Sequence, residues 1–230
     1  IDIEKRFAQM AHFVVIGAGQ AGASLVAKLR SSGFEGDITL IGEEAVPPYQ
    51  RPPLSKAYLL GEMALERLFL RPESYYADQN ITLKMGAAVT QIDTAKREVH
   101  LGDEVIAYDQ LALTTGSSAN TLPAAIGGAL DGVYTVRTLG DVDAMVGEFC
   151  AGRRALIVGG GYIGLEAAAV ARKLGEFAGG LGTQGANPIG RGTHIIAING
   201  CPFTFPHRER LRVIAKGDAD ILQNPVDLAF

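Results

Sequence analysis

The sequence predicts an α/β fold with parallel β-sheet, arranged as two successive units, and three observations predict it. Gly17-Ala18-Gly19-Gln20-Ala21-Gly22 and Gly159-Gly160-Gly161-Tyr162-Ile163-Gly164 are two copies of one glycine pattern. Each copy follows a short apolar run, residues 13–16 or 155–158, suited to a buried strand. Each opens a stretch of helical character, residues 21–29 or 162–174. Strand, glycine turn and helix in that order are Rossmann-like. The first glycine permits a tight turn, the second lets a diphosphate approach the backbone, and the third lets helix and strand pack closely. The diphosphate then lies against N–H groups at the positive end of the helix. Two copies in one chain predict two dinucleotide sites. Gly17, Ala18, Gly19, Gln20, Ala21 and Gly22 line the first, and Gly159, Gly161, Tyr162, Ile163 and Gly164 line the second.

Residues 37–41 read as the second strand of the first unit, and Gly42-Glu43-Glu44 follows it. A carboxylate about 20 residues beyond the glycines accepts hydrogen bonds from a ribose. Glu43 is the candidate, set against the plainer reading of Glu43 and Glu44 as a solvated loop. The first helix is expected to end at Ser31-Ser32-Gly33, where glycine suits a left-handed cap. Pro47, Pro48, Pro52 and Pro53 fall within seven residues and predict a fixed loop. Residues 56–60 are expected to begin a short helix. Residues 81–92, 98–101 and 105–113 read as strands of a β-meander, the later pair joined by a Gly102-Asp103 turn. A helix is expected over 141–149, leading into the second glycine pattern.

The 230 residues are 47% hydrophobic and 20% charged, an ordinary globular composition with room for one or two domains. A net charge of −4 leaves no basic footprint for nucleic acid. No apolar run approaches the roughly 18 residues of a membrane helix. Cys150 and Cys201 are far apart, with no metal or redox spacing. The four histidines, His12, His100, His194 and His207, form no metal-spaced pair, so no metal is expected. A reducing cytoplasm fits these features. Met10 directly precedes the first strand, and residues 1–9 are expected to be a disordered extension.

The first glycine pattern is followed in order by Ile41-Gly42-Glu43, Arg51-Pro52-Pro53-Leu54-Ser55-Lys56, Thr114-Thr115-Gly116, Val136-Arg137-Thr138 and Gly164-Leu165-Glu166. This succession resembles the FAD-dependent ferredoxin reductases, in particular those of the rubredoxin and putidaredoxin reductase type. The resemblance covers about residues 10–175, and Pro-Pro-Leu-Ser-Lys is its most specific element. It implies an FAD-binding domain over 10–145 and the start of an NAD(P)-binding domain over 146–175. It places Lys56 beside the flavin, with Glu166 reaching across to pair with it. It assigns the adenine to the backbone of Val89, and flavin-nucleotide contacts to Arg51, Arg137, Thr115 and Gly116. An ammonium near the flavin suits the negative charge of the reduced ring, and in a partly dry site it wants a carboxylate partner. The plainer reading makes Lys56 a loop residue and Glu166 a helix-surface residue.

The resemblance stops near Gly175. Residues 179–192 contain six glycines without apolar periodicity and read as a flexible loop rather than the next strand of a nucleotide-binding unit. Strands are expected over 193–199 and 212–215, with a weak helix over 220–228. This tail, 176–230, is either a divergent βα layer or a foreign segment, the second being favoured. The second unit is therefore expected to be incomplete.

Three functions compete. The leading one passes electrons from NAD(P)H through FAD to a ferredoxin- or rubredoxin-type iron–sulfur protein, since flavin hands on electrons singly whereas nicotinamide moves hydride. A related NADH oxidase shares the cofactor fold. The rival is a nucleotide-binding remnant without turnover. A dithiol flavoenzyme is disfavoured because no cysteine precedes Cys150.

Overall fold

A computed structural model describes residues 11–149, 154–159, 161–174, 177–181 and 195–199. The expectations for residues 1–9, Cys150, 182–194 and 200–230, among them a strand at 212–215 and a helix at 220–228, lie outside these. Two compact units emerge. One contains the described residues up to Pro53 together with Gly61–Ser118; the other contains Leu54–Leu60 and the described residues from Ala119 onward.

The first unit has strands β1 (His12–Ile16), β2 (Asp37–Gly42), β3 (Ile81–Met85), β4 (Gln91–Asp93), β5 (Glu98–Leu101), β6 (Glu104–Ala107) and β7 (Gln110–Leu113). Its helices are α1 (Gln20–Ser31) and α2 (Glu73–Asp78). A parallel sheet runs β3-β2-β1-β7, and a separate antiparallel meander runs β4-β5-β6. Side chains alternate across a strand, so β1 feeds two cores. Val15 packs with Ile38, Leu40, Ile81, Val26 of α1 and Tyr76 of α2. Val14 and Ile16 face the other way and pack with Ile41 and with Val99 of the meander. Both faces of the parallel sheet are thus covered, which is why the central strand β1 reads as an unbroken apolar run over residues 13–16.

Two strands expected to be continuous are divided. Residues 81–92 break at Gly86, whose φ of +70° turns the chain out of β3 before β4 begins. Residues 105–113 break between β6 and β7, where the Asp109 backbone and carboxylate both bond the backbone of His12 and seat β7 on β1. The helix ends as expected: Gly33 has φ +85°, and the Phe34 N–H returns to the Leu29 carbonyl.

The second unit holds β8 (Val133–Thr135), α3 (Leu139–Val146), β9 (Arg154–Val158), α4 (Tyr162–Lys173), β10 (Phe177–Leu181) and β11 (Ile195–Asn199). Its sheet runs β10-β9-β11-β8, with β10 parallel to β9 and β11 antiparallel to both β9 and β8. The expected helix at 141–149 begins two residues earlier. Thr138 and Asp141 form a reciprocal capping box there, with Thr138 Oγ1 accepting from the Asp141 N–H at 3.1 Å.

Two further expectations are corrected. Residues 56–60 form a turn instead of a helix; one bond, Leu60 N–H to the Lys56 carbonyl at 3.0 Å, closes it before Gly61 at φ +71°. Residues 179–181 belong to β10 instead of a loop. The segment Phe-Ala-Gly-Gly-Leu carries little intrinsic strand preference, and full parallel pairing with the central strand β9 supplies the order. The sequence β9-α4-β10 is therefore a βαβ unit. The strand expected over 193–199 is found at Ile195–Asn199, in the same sheet.

Candidate functional site

The first glycine turn joins β1 to α1. Gly17 sits at φ +110°, and a Cβ there would lie 2.2 Å from the Thr114 carbonyl oxygen, so only glycine fits. At Gly22 a Cβ would lie 2.1 Å from the Gly17 carbonyl oxygen, which sets how closely α1 approaches the turn. Gly19 differs: a Cβ there would meet nothing within 4 Å, because the space above it is open. Gly19 is also the N-cap of α1, with no side chain capping it and no acidic residue in the first turn. The leading N–H groups of a helix have no partner within it, and an open, uncapped, glycine-floored end accepts a diphosphate. These residues fit a dinucleotide.

Thr114 at the end of β7 secures the turn from beside it. Its hydroxyl lies 2.8 Å from the Gly17 carbonyl and 3.1 Å from that of Ile16, and its N–H donates to Ile16 at 2.7 Å. Thr115 and Gly116, the expected cofactor contacts, follow directly and are exposed, with Gly116 at φ +67°. Thr114 is not among the residues expected from the sequence; a contact spanning 97 positions leaves no local signal.

Glu43 stands exposed after β2, and among the described residues its carboxylate makes no hydrogen bond or ion pair. Glu44 behaves differently. Its Oε1 lies 2.7 Å from Arg51 Nη2, and its Oε2 accepts from the hydroxyl of buried Tyr49 at 2.6 Å. Arg51 also donates to the Tyr49 hydroxyl at 3.1 Å, with its guanidinium 5.2 Å from the ring centre. This triad rivets the proline loop to the end of β2. Val89 lies between β3 and β4, half-packed against the core shared with the meander.

The second glycine turn repeats the first. Gly159 has φ +120°, and a Cβ at Gly164 would lie 2.2 Å from the Gly159 carbonyl oxygen. Gly161 caps α4 without a side-chain bond or an acidic first turn. Tyr162 is exposed and Ile163 half-buried. The Arg137 N–H donates to Asp141 Oδ2 at 2.9 Å, before α3.

Lys56 and Glu166 meet in the second unit, with Nζ 2.8 Å from Oε1. The other carboxylate oxygen, Oε2, accepts from Ser55 Oγ at 2.5 Å. Tyr58, two residues on, donates to Asp143 Oδ1 of α3 at 2.7 Å. Among the described residues no three His, Cys, Asp or Glu side chains gather as a metal site, and no helix is long and apolar enough to cross a membrane.

One glycine turn between a parallel-paired strand and a helix, repeated in a second unit that also carries a Lys–Glu pair, defines a class of proteins with two dinucleotide-type turns. The chain belongs to the pyridine nucleotide-disulphide oxidoreductase family, whose profile matches residues 11–208. It is 44% identical over 164 residues to a ferredoxin–NAD(P)+ reductase of Sphingomonas sp, covering 71% of this chain and 39% of that protein. It is 46% identical over 163 residues to rhodocoxin reductase of Rhodococcus erythropolis, covering 70% and 38%. A crystal structure of a covalent putidaredoxin reductase–putidaredoxin complex superposes with a TM-score of 0.70 at 40% identity, covering 74% of this chain and 42% of that one. The chain thus spans about two fifths of the length of the curated relatives it matches.

Proposed function

We propose that this chain is part of an FAD-dependent reductase that takes hydride from NAD(P)H and passes electrons to a ferredoxin- or rubredoxin-type iron–sulfur protein in the cytoplasm. The observation that carries this reading is the recurrence of one glycine turn between a strand and an uncapped helix in both units, at Gly17-Gly19-Gly22 and Gly159-Gly161-Gly164. The relatives at 44–46% identity that are named as ferredoxin and rhodocoxin reductases supply the acceptor class.

FAD, when bound, supplies the exchange between two-electron and one-electron transfer. In this assignment Gly19 and the first turn of α1 bind the FAD diphosphate, Glu43 the ribose, and Arg51, Val89, Thr115, Gly116 and Arg137 the rest of the nucleotide. Gly161, Tyr162, Ile163 and Gly164 bind NAD(P)H. Lys56 provides the cation toward which negative charge on the reduced ring is drawn, and Glu166 holds that cation in place.

The second reading is a nucleotide-binding remnant that holds FAD without turnover. A visible spectrum of the purified chain with added FAD, followed by anaerobic NADH, separates the two. Yellow protein that bleaches supports the reductase, and yellow protein that stays yellow supports the remnant. Colourless protein refutes both.

A further inference from the structure

The geometry assigns Ser55 as a positioning residue: by bonding Glu166 Oε2 it fixes the carboxylate that in turn fixes the Lys56 ammonium. This inference rests on the functional reading of Lys56 given above, and extends it to a residue outside that site.

Ser55 and Thr39 are the buried polar residues among those described, with Ser55 only 3% exposed. A buried serine ordinarily satisfies its hydroxyl on a nearby backbone carbonyl. Ser55 instead reaches a carboxylate 111 positions away, on α4. At 2.5 Å the bond is in the range of a hydroxyl donating to an ionised oxygen, the stronger kind of hydrogen bond.

The adjacency of Ser55 and Lys56 gives the bond its consequence. Two consecutive residues grip the two oxygens of one carboxylate, Ser55 on Oε2 and Lys56 on Oε1. The plane of that carboxylate is thereby set relative to the backbone of residues 55–56. Lys56 alone would be poorly placed: its side chain is 49% exposed, on a stem with four rotatable bonds, and an ion pair at such exposure holds geometry weakly. With Oε2 already engaged by a buried hydroxyl, Glu166 cannot swing toward water without leaving that hydroxyl unpaired. Tyr58 adds a second anchor for the same turn through Asp143.

The test is competitive acetylation of lysines in the full chain by trace acetic anhydride, read by mass spectrometry, which needs no flavin. Ser55→Ala is expected to raise the labelling rate of Lys56 about fivefold relative to Lys84 in the same sample. Ser55→Cys, nearly isosteric and a poor donor, is expected to do the same. Glu166→Gln raises it at least as much, and Ser55→Ala adds nothing further in that background, as residues acting in series require. Unchanged Lys56 labelling in both Ser55 variants overturns the assignment. So does a full Ser55→Ala effect in the Glu166→Gln background, or an equal rise at Lys84, which would mean general unfolding. In flavin-loaded protein the limiting rate of reduction by NADH is expected to fall about tenfold in Ser55→Ala with the apparent NADH Kd unchanged. Failure of the chain to take up flavin would sink the functional reading and leave the labelling result standing.

Discussion

Tyr76 carries its hydroxyl into the first unit's core, where the side chain is wholly buried and Oη has no hydrogen-bond partner among the described residues. It packs with Val15, Ile38 and Leu40, and its ring stands edge-on to Tyr75 at 5.5 Å. Burial, opposed in part by Arg71, pushes its phenol up from 10.0 to about 12. A raised folded-state value means the folded form holds the proton more tightly. The stability this confers is complete below about pH 10 and is lost as pH climbs from 10 toward 12. Tyr76→Phe removes an unpaired buried hydroxyl at little change in shape, so it should raise stability by about 1 kcal/mol at pH 7. It should also flatten the alkaline loss. Guanidinium unfolding at pH 7 and pH 11 checks both, and a destabilised Phe variant would show that the hydroxyl is satisfied after all. At the same scale, Lys56→Ala should slow flavin reduction by NADH about a hundredfold, the magnitude typical of losing one preorganised electrostatic group. FAD retention should change little, because the diphosphate is assigned to backbone at the other glycine turn. Stopped-flow reduction at an unaltered rate would remove Lys56 from the chemistry.

Elements here are held by side chains that reach across breaks in regular structure. Arg30, in the last turn of α1, donates to the carbonyls of Phe34 and Gly36 before β2 and of Gln79 and Asn80 before β3, all at 2.6–2.7 Å. One guanidinium thus fastens two loops at the same end of the parallel sheet. Arg30→Met keeps the aliphatic stem and loses all four bonds; the freed carbonyls are partly wet, so the expected cost is about 2–3 kcal/mol in urea unfolding. A cost under about 0.5 kcal/mol would mean that water replaces the bonds fully. Neither the reach of Arg30 to Gln79 nor the Ser55–Glu166 bond was legible in the sequence, because they join residues 49 and 111 positions apart with nothing periodic between them. What was legible were features with a local cause. The apolar runs of β1 and β2 follow from a sheet covered on both faces, and Gly17, Gly22 and Gly164 are glycine because a Cβ there would strike backbone. Failures also had local causes. Gly86 and Gly61 ended elements early through positive φ, and β10 is two-fifths glycine, so its pairing with β9 rather than its own residues defines it.

Across the molecule the two glycine turns are built alike but sit in separate units, and this makes their roles separable. Gly22 and Gly164 occupy the same place in each. A Cβ would lie 2.1 Å from the Gly17 carbonyl oxygen in one and 2.2 Å from the Gly159 carbonyl oxygen in the other, distances that real Cβ atoms do not tolerate. An alanine must therefore push each helix away from its turn and carry the leading N–H groups off the diphosphate, an overpacking that typically costs about 1–3 kcal/mol. If the first site takes FAD and the second takes NAD(P)H, the two substitutions should give opposite phenotypes. Gly22→Ala should leave the protein colourless after incubation with FAD while NADH still binds by fluorescence titration. Gly164→Ala should take up FAD and turn yellow, yet resist bleaching by NADH while still yielding to dithionite. Loss of both functions in each variant would mean that the turns act as structure common to the whole chain. Yellow Gly22→Ala protein would detach the flavin from the first glycine turn, and with it the order of electron flow proposed for this chain.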